Sequence, residues 1–169
     1  MLLNRNKIAL GGGCHWCTEA VFQALKGVVK VEQGYVTSVG QDTQLSEAVI
    51  VHYLPHVIPL KVLLEVHLYT HKSTSNHSMR SKYRSAVYFY SEAQEKEVLF
   101  ILEELKHFFN KKIITKTLPF KAFVASREAI QNYYISNPKR PFCVKFIAPK
   151  LELIQDKFSK YSSKNVRKL

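Results

Sequence analysis

Cys14 and Cys17 stand three residues apart in the run Gly11-Gly12-Gly13-Cys14-His15-Trp16-Cys17-Thr18-Glu19, which follows the short apolar stretch Ile8 to Leu10. Glycines, Gly13 last among them, let a backbone turn sharply and approach a ligand closely, since no side chain intervenes. A helical pattern begins at the first cysteine. Free amide N–H groups and the positive end of the helix dipole at such a start favour an anion, and a thiol held there loses its proton more readily than one in water. The pair fits three chemistries: dithiol exchange, half of a zinc site, or a single nucleophile at Cys14 with Cys17 in the core. Cys17 heads an apolar stripe, which favours the third.

Other groups extend each possibility. His67 and His71 complete a formal Cys₂His₂ set with the two cysteines. The whole stretch 18–66 separates the pairs, however, against about 12–15 residues in finger-like sites. Glu47 alternates with Val49, Val51 and Tyr53. A carboxyl sharing a strand face with valines is desolvated, which favours the neutral form that a general acid requires. Tyr83 opens a strand directly after a polar loop, where its phenol can donate into a site or pack in the core.

These groups need elements to hold them. Ile8–Gly11 reads as a buried strand. Residues 14–26 read as a helix with its apolar stripe at Cys17, Ala20, Val21, Ala24 and Leu25, ended by Gly27. Residues 28–38 and 47–54 read as a long antiparallel hairpin around the turn Gly40-Gln41-Asp42. Pro59 suits the first turn of a second helix running from Leu60 to about Tyr69. Residues 84–90 form a strand. Ser91 caps a third helix with Gln94 in the capping-box position, lined by Val98, Ile101, Leu102, Leu105, Phe108 and Phe109. A fifth strand is predicted at 112–117, a fourth helix from Ser126 to about Ser136, and a last helix near 151–158. Cys143 follows Pro141 in a predicted loop. The order predicts an α+β fold: a two-layer α/β sandwich with one mixed or antiparallel sheet, helices packed on it and a ferredoxin-like core. Residues 1–150 are read as a single catalytic domain and 151–169 as a basic, partly helical extension.

Composition narrows the class. The chain has 169 residues, 46% of them hydrophobic, enough for one domain with a real core. Its apolar runs are far shorter than the ~20 residues that span a bilayer, and Met1 to Lys7 has no signal-peptide core. Three cysteines argue against a disulfide framework and for a reducing, cytoplasmic setting. The net charge of +12 is spread over Lys111-Lys112, Lys139-Arg140 and a tail from Lys157 to Lys168. With no groove-reading motif and no basic-aromatic interleaving, the expectation is a basic monomer that binds neither nucleic acid nor membrane.

Residues 11–22, Gly-Gly-Gly-Cys-His-Trp-Cys-Thr-Glu-Ala-Val-Phe, closely resemble the active-site motif of the A-type peptide methionine sulfoxide reductases, usually GGGCFWC or GGCFWG. The likeness continues through Leu25-Lys26-Gly27-Val28 and Gln33-Gly34-Tyr35. Ser46-Glu47-Ala48-Val49 is similar to the family's HAEVV segment, Lys82 to Tyr88 to its QYRSAIY, and Gln131 to Pro138 followed by Cys143 to its late QxY…NP…C segment. The resemblance implies Cys14 as nucleophile, Trp16 as a wall of the substrate-methyl pocket, Glu47 as the acid that protonates the sulfoxide oxygen, Tyr83 as a donor to that oxygen and Cys143 as the resolving thiol, ahead of Cys17. It implies reduction of methionine S-sulfoxide, free or in proteins, through a Cys14 sulfenic acid, with a thioredoxin-like dithiol as partner and no metal or organic cofactor. Three departures stand out. His15 replaces the usual phenylalanine, giving the methyl pocket a polar wall. His77 and Ser78 occupy the loop where the family has GxDxGxQ, Ser78 at the aspartate position. The link from Tyr35 to Glu47 is about ten residues shorter than the family's and lacks the stretch that carries its second oxygen-binding tyrosine.

Overall fold

The computed structural model describes residues 4–163. Its centre is the strand β1 (Asn6–Gly11), flanked on one side by β3 (Ser46–Tyr53) and on the other by β4 (Ala86–Phe89), both antiparallel to it. β2 (Val28–Thr37) pairs antiparallel with β3, as the hairpin pattern predicts, with Tyr35 opposite Glu47 and Gly34 opposite Ala48. Two short strands complete the sheet: β5 (Lys116–Pro119) parallel to β4 and β6 (Ala122–Ala125) antiparallel to β2, giving the order β5-β4-β1-β3-β2-β6. The inner four strands, with α1 (His15–Gln23) after β1 and α2 (Leu60–Thr70) after β3, make the split βαβ of a ferredoxin-like core.

The sheet has two unequal faces. Ile8, Leu10, Val49, Val51, Tyr53 and Val87 project toward the helices and form the main core with Phe22, Leu63, Leu64, Ile147, Leu151 and Ile154. Ala9, Val36, Ala48, Ile50, Ala86 and Tyr88 make a smaller cluster on the other face, under Leu118, Phe120 and Phe123. β3 is buried on both faces because it lies inside the sheet. That is how Glu47, at its second position, comes to be only 6% exposed.

Several boundaries differ from the sequence reading. α1 stops at Gln23, before Gly27, whose φ of +89° serves the turn into β2. In α3 (Glu92–Leu105) the Ser91 hydroxyl accepts from Gln94 N–H, as the capping box predicts, but Phe108 lies past its end and is exposed. β5 begins four residues later than expected, and β6 has no counterpart in the sequence pattern. No continuous helix starts at Ser126, whose N–H instead donates to the Gln33 carbonyl. A single 3₁₀ turn and the short α4 (Tyr133–Ser136) stand there, broken at Asn132, whose φ is +54°. Cys143 is not in a loop: residues Cys143–Ile147 wind as a π-helix that runs into α5 (Ala148–Lys157). The boundary expected after residue 150 falls inside α5, whose Leu151 and Ile154 belong to the main core. Residues 164–169 of the basic tail lie outside the described part.

Candidate active site

Cys14 is the N-cap of α1, the position where Ser, Thr or Asp usually sets an acceptor against the first free N–H groups. The glycines before it are not equivalent. A methyl group on Gly11 would press on the carbonyls of Arg84 and Glu47, one on Gly12 would strike the His71 ring, and one on Gly13 would meet nothing within 4 Å. The turn therefore seats tightly between β3, β4 and α2 and opens at Gly13, next to the thiol.

Cys14 is half-buried, and its thiol ionises more readily than usual. A hydrogen bond from Cys17 is the largest cause; burial opposes it, the backbone N–H groups of Trp16 and Cys17 reinforce it, and the Glu47 charge opposes it. The same hydrogen bond pushes the buried Cys17 thiol strongly up, with burial adding to the effect. Cys17 is thus a donor to the Cys14 thiolate as well as a core residue. Cys143 is fully buried, and burial pushes its thiol up too. The freely swinging cysteine expected from the sequence is absent. Behind the two front sulfurs is a small cavity of about 50 Å³, lined among others by His67, Thr70, His71 and Lys150. The Lys150 ammonium donates to the Thr70 carbonyl and lies within electrostatic reach of both thiols.

On the other side of α1, His15 is buried with its Nδ1 2.8 Å from the Gly34 carbonyl oxygen and its Nε2 3.0 Å from Glu47 Oε1. Its ring also meets the Tyr35 ring edge-on, 5.1 Å between centroids. The ring read from the sequence as a polar wall of the methyl pocket packs against β2 and β3. Tyr83 is fixed from behind: Glu47 N–H and Ser46 Oγ donate to the Lys82 carbonyl at 3.0 Å, and Arg84 N–H donates back to Ser46 Oγ at 2.8 Å. The Lys82 ammonium hydrogen-bonds the Tyr83 phenol and senses Glu47 and Tyr35, all of which hold it in the charged form. Trp16 stacks on Tyr133 at 4.1 Å and meets Phe142 edge-on at 5.3 Å, which builds an aromatic wall beside Cys14. Ser78 is exposed, and His77 Nδ1 accepts from Met79 N–H within its own turn.

Three supporting residues escaped the sequence reading. Glu19, buried on α1, accepts from Gln33 Nε2 at 3.0 Å and from the N–H groups of Asn132 and Tyr133 at 3.1 Å each. Arg80 donates to the carbonyls of Gly12, Tyr83, Ser75 and Lys72. Lys150 is the third. Charge at the i+4 position from His15 was the sole hint for Glu19, and nothing local marked Arg80 or Lys150. The histidines of the formal zinc set are otherwise engaged: His67 Nε2 donates to the Gly11 carbonyl, and His71 bonds the His67 carbonyl through Nδ1 and Ser85 Oγ through Nε2. Among the described residues, no group of three or more His, Cys, Asp or Glu side chains is arranged to hold a metal.

The sequence profile of peptide methionine sulfoxide reductases matches residues 6–162. The chain belongs to the peptide methionine sulfoxide reductase family. The MsrA of a Psychrobacter species is 32% identical over 93% of this chain and 98% of its own length, and that of a Thermus thermophilus strain is 34% identical over 88% and 93%. The reduced crystal structure of Mxr1 from Saccharomyces cerevisiae superposes with a TM-score of 0.73 at 28% identity, covering 85% of this chain and 91% of Mxr1. A second Mxr1 structure, in complex with Trx2, gives 0.62 at 27% identity over 79% and 87%. This member is an enzyme of thiol-dependent methionine sulfoxide reduction. Among the described residues no helix is long and apolar enough to cross a membrane.

Proposed function

We propose that the chain reduces the S epimer of methionine sulfoxide, free or within oxidised proteins, with Cys14 as nucleophile and Glu47 as acid. The observation that carries this reading is a thiolate-favouring N-cap cysteine within electrostatic reach of a buried carboxyl. The Cys14 thiolate attacks the sulfoxide sulfur while the substrate methyl lies against Trp16. Negative charge grows on the sulfoxide oxygen; Glu47 delivers a proton there and the Tyr83 phenol donates a hydrogen bond. The oxygen passes to Cys14, which becomes a sulfenic acid, oxidised by two electrons as methionine is released reduced.

Resolution is assigned first to Cys17. Its thiol interacts with that of Cys14, which places the two to condense to a disulfide with loss of water. Cys143, beyond Cys17 and walled in by the core, exchanges second, once the π-helical turn opens. A thioredoxin-like dithiol then reduces the disulfide; Mxr1 bound to Trx2 supports that partner. No metal or organic cofactor enters, one chain supplies every reacting group, and a reducing compartment such as the cytoplasm suits the three free thiols.

The test is reduction of N-acetyl-methionine S-sulfoxide with thioredoxin and its reductase. Wild type turns over; Cys14→Ser is inactive; Glu47→Gln loses at least about 10²-fold in kcat, the usual worth of a positioned acid. A Cys14→Ser variant that still turns over ends the reading. So does a wild type that reduces insulin disulfides and leaves the sulfoxide untouched, the behaviour of a plain dithiol oxidoreductase.

A further inference from the structure

His15 occupies a place where the geometry leaves little freedom about protons. The Gly34 carbonyl oxygen 2.8 Å from Nδ1 can only accept, so Nδ1 carries a hydrogen. In a neutral ring Nε2 is then a bare lone pair, and it faces Glu47 Oε1 at 3.0 Å. Two acceptors at that distance, both buried, repel. One proton must lie between them, on the carboxyl with Nε2 accepting or on Nε2 with the carboxylate accepting.

We propose that His15 is a positioning residue for the reaction: through the tautomer fixed by Gly34, it keeps one proton on the Glu47–His15 pair and aims that proton's carrier, Glu47, at the sulfoxide oxygen. The proposal rests on Glu47 being the acid. A phenylalanine, the residue usual in the family pattern, offers no acceptor and leaves the carboxyl to hold its proton unaided.

The surroundings decide where the proton rests. Burial is the main influence on the ring and favours its neutral form; the Gly34 carbonyl and Glu47 oppose this, and the Lys82 ammonium assists. The ring is therefore held toward its neutral form, in which Nε2 can only accept, and in the proposal the shared proton sits on the carboxyl. The groups that face the pair are Cys14 from the glycine turn, Tyr35 from β2, and, from the loop before β4, Lys82, whose ammonium in turn holds the Tyr83 phenol. In the chemical step the Glu47 proton goes to the sulfoxide oxygen and the pair is left with none. The unfavourable facing of carboxylate and lone pair is then relieved by taking a proton from water, which resets the site for the next turnover.

The measurement is the single-turnover rate of methionine formation from N-acetyl-methionine S-sulfoxide, with enzyme in excess and no reductant, across pH. Wild type keeps its rate into alkaline solution until the pair loses its proton. In His15→Phe the alkaline limb falls about one pH unit earlier, a tenfold rate difference on that flank with convergence at lower pH. In His15→Gln, whose amide can donate to the carboxylate, it falls earlier still. A uniform drop at every pH with the limb unmoved overturns the proposal, as a purely structural role predicts. Glu47→Gln separates the two levels of inference: if it stays active, the acid assignment fails; if it is impaired while His15→Phe and His15→Gln keep the wild-type limb, only the His15 proposal fails. The His15→Phe change in the Glu47→Gln background is expected to move no limb at all.

Discussion

At the scale of single residues the glycine run divides into a packed part and an open part. The His71 ring that a Gly12 methyl would strike is pinned by the His67 carbonyl and Ser85 Oγ. It cannot swing aside, so Gly12→Ala is expected to cost about 1–3 kcal/mol, the range for forced overpacking, read as a lowered midpoint in urea. Gly13→Ala meets nothing and has no positive φ to forfeit, so its midpoint stays within about 0.5 kcal/mol of wild type. Activity lost in that variant without loss of stability assigns the open space to substrate. For the thiols, trapping the enzyme after one turnover and mapping the bridge by mass spectrometry is expected to give Cys14–Cys17. Cys17→Ser is expected to slow disulfide formation; if bridge formation is as fast as in wild type, Cys143 resolves directly. The sequence singles out Cys14 and Cys17 by their local spacing, whereas Glu47 and Tyr83, far along the chain, are marked there mainly by the family resemblance. The orientation of His15 was not legible, since it depends on a carbonyl in β2 and a carboxyl in β3.

At the scale of elements, α1 shows why periodicity reads one face and misses another. The apolar stripe at Cys17, Ala20 and Val21 faces the core as the spacing predicts. His15 and Glu19, at i and i+4, have the pattern of a solvated face, yet both are buried because each finds backbone partners in another segment. Glu19 is the clamp: its carboxylate takes the N–H groups of Asn132 and Tyr133, which the left-handed turn at Asn132 presents, and so holds Tyr133 against Trp16. Burial pushes its carboxyl up, and the three hydrogen bonds pull it back. Glu19→Ala leaves those two N–H groups unpaired and is expected to cost about 2–6 kcal/mol, at about one to three for each unsatisfied group; KM for the sulfoxide should rise with it as the aromatic wall loosens. An unchanged KM would disconnect the clamp from the pocket. The helix predicted from Ser126 failed for the same reason: a carboxylate from a distant element replaces the local bonds that would have carried it, and no local pattern announces such a donor set. β6 was equally hidden, being four residues long at the sheet edge and largely exposed.

At the scale of the whole molecule, acid should weaken the fold through α2. Burial pushes His67 down to about 4, and burial together with the neighbouring His67 pushes His71 well below its ordinary value. The native state keeps both rings neutral, while the unfolded chain protonates them near 6.5. Between those values the unfolded state binds more protons, so stability is complete above about pH 6.5 and is lost as pH falls toward 4. For His67 the loss approaches about 2 kcal/mol at pH 5, or about 4–8 °C in Tm for a chain of this size. His67→Gln, whose amide can still donate to the Gly11 carbonyl, is expected to flatten the Tm profile between pH 7 and 5; an unaltered slope would assign acid sensitivity elsewhere. The ferredoxin-like centre was legible from the order of elements, whereas α5's share of the core was masked by its charge.

Arg80 has a consequence for motion. One guanidinium spans the carbonyls of Gly12 and Tyr83, so the glycine turn before Cys14 and the backbone that carries the Tyr83 phenol are tied through a single side chain. With the proposed roles, a push on the phenol is passed through Arg80 to the turn that carries the sulfur, and Arg80→Ala is expected to lower kcat for the sulfoxide with Cys14 and Tyr83 both intact.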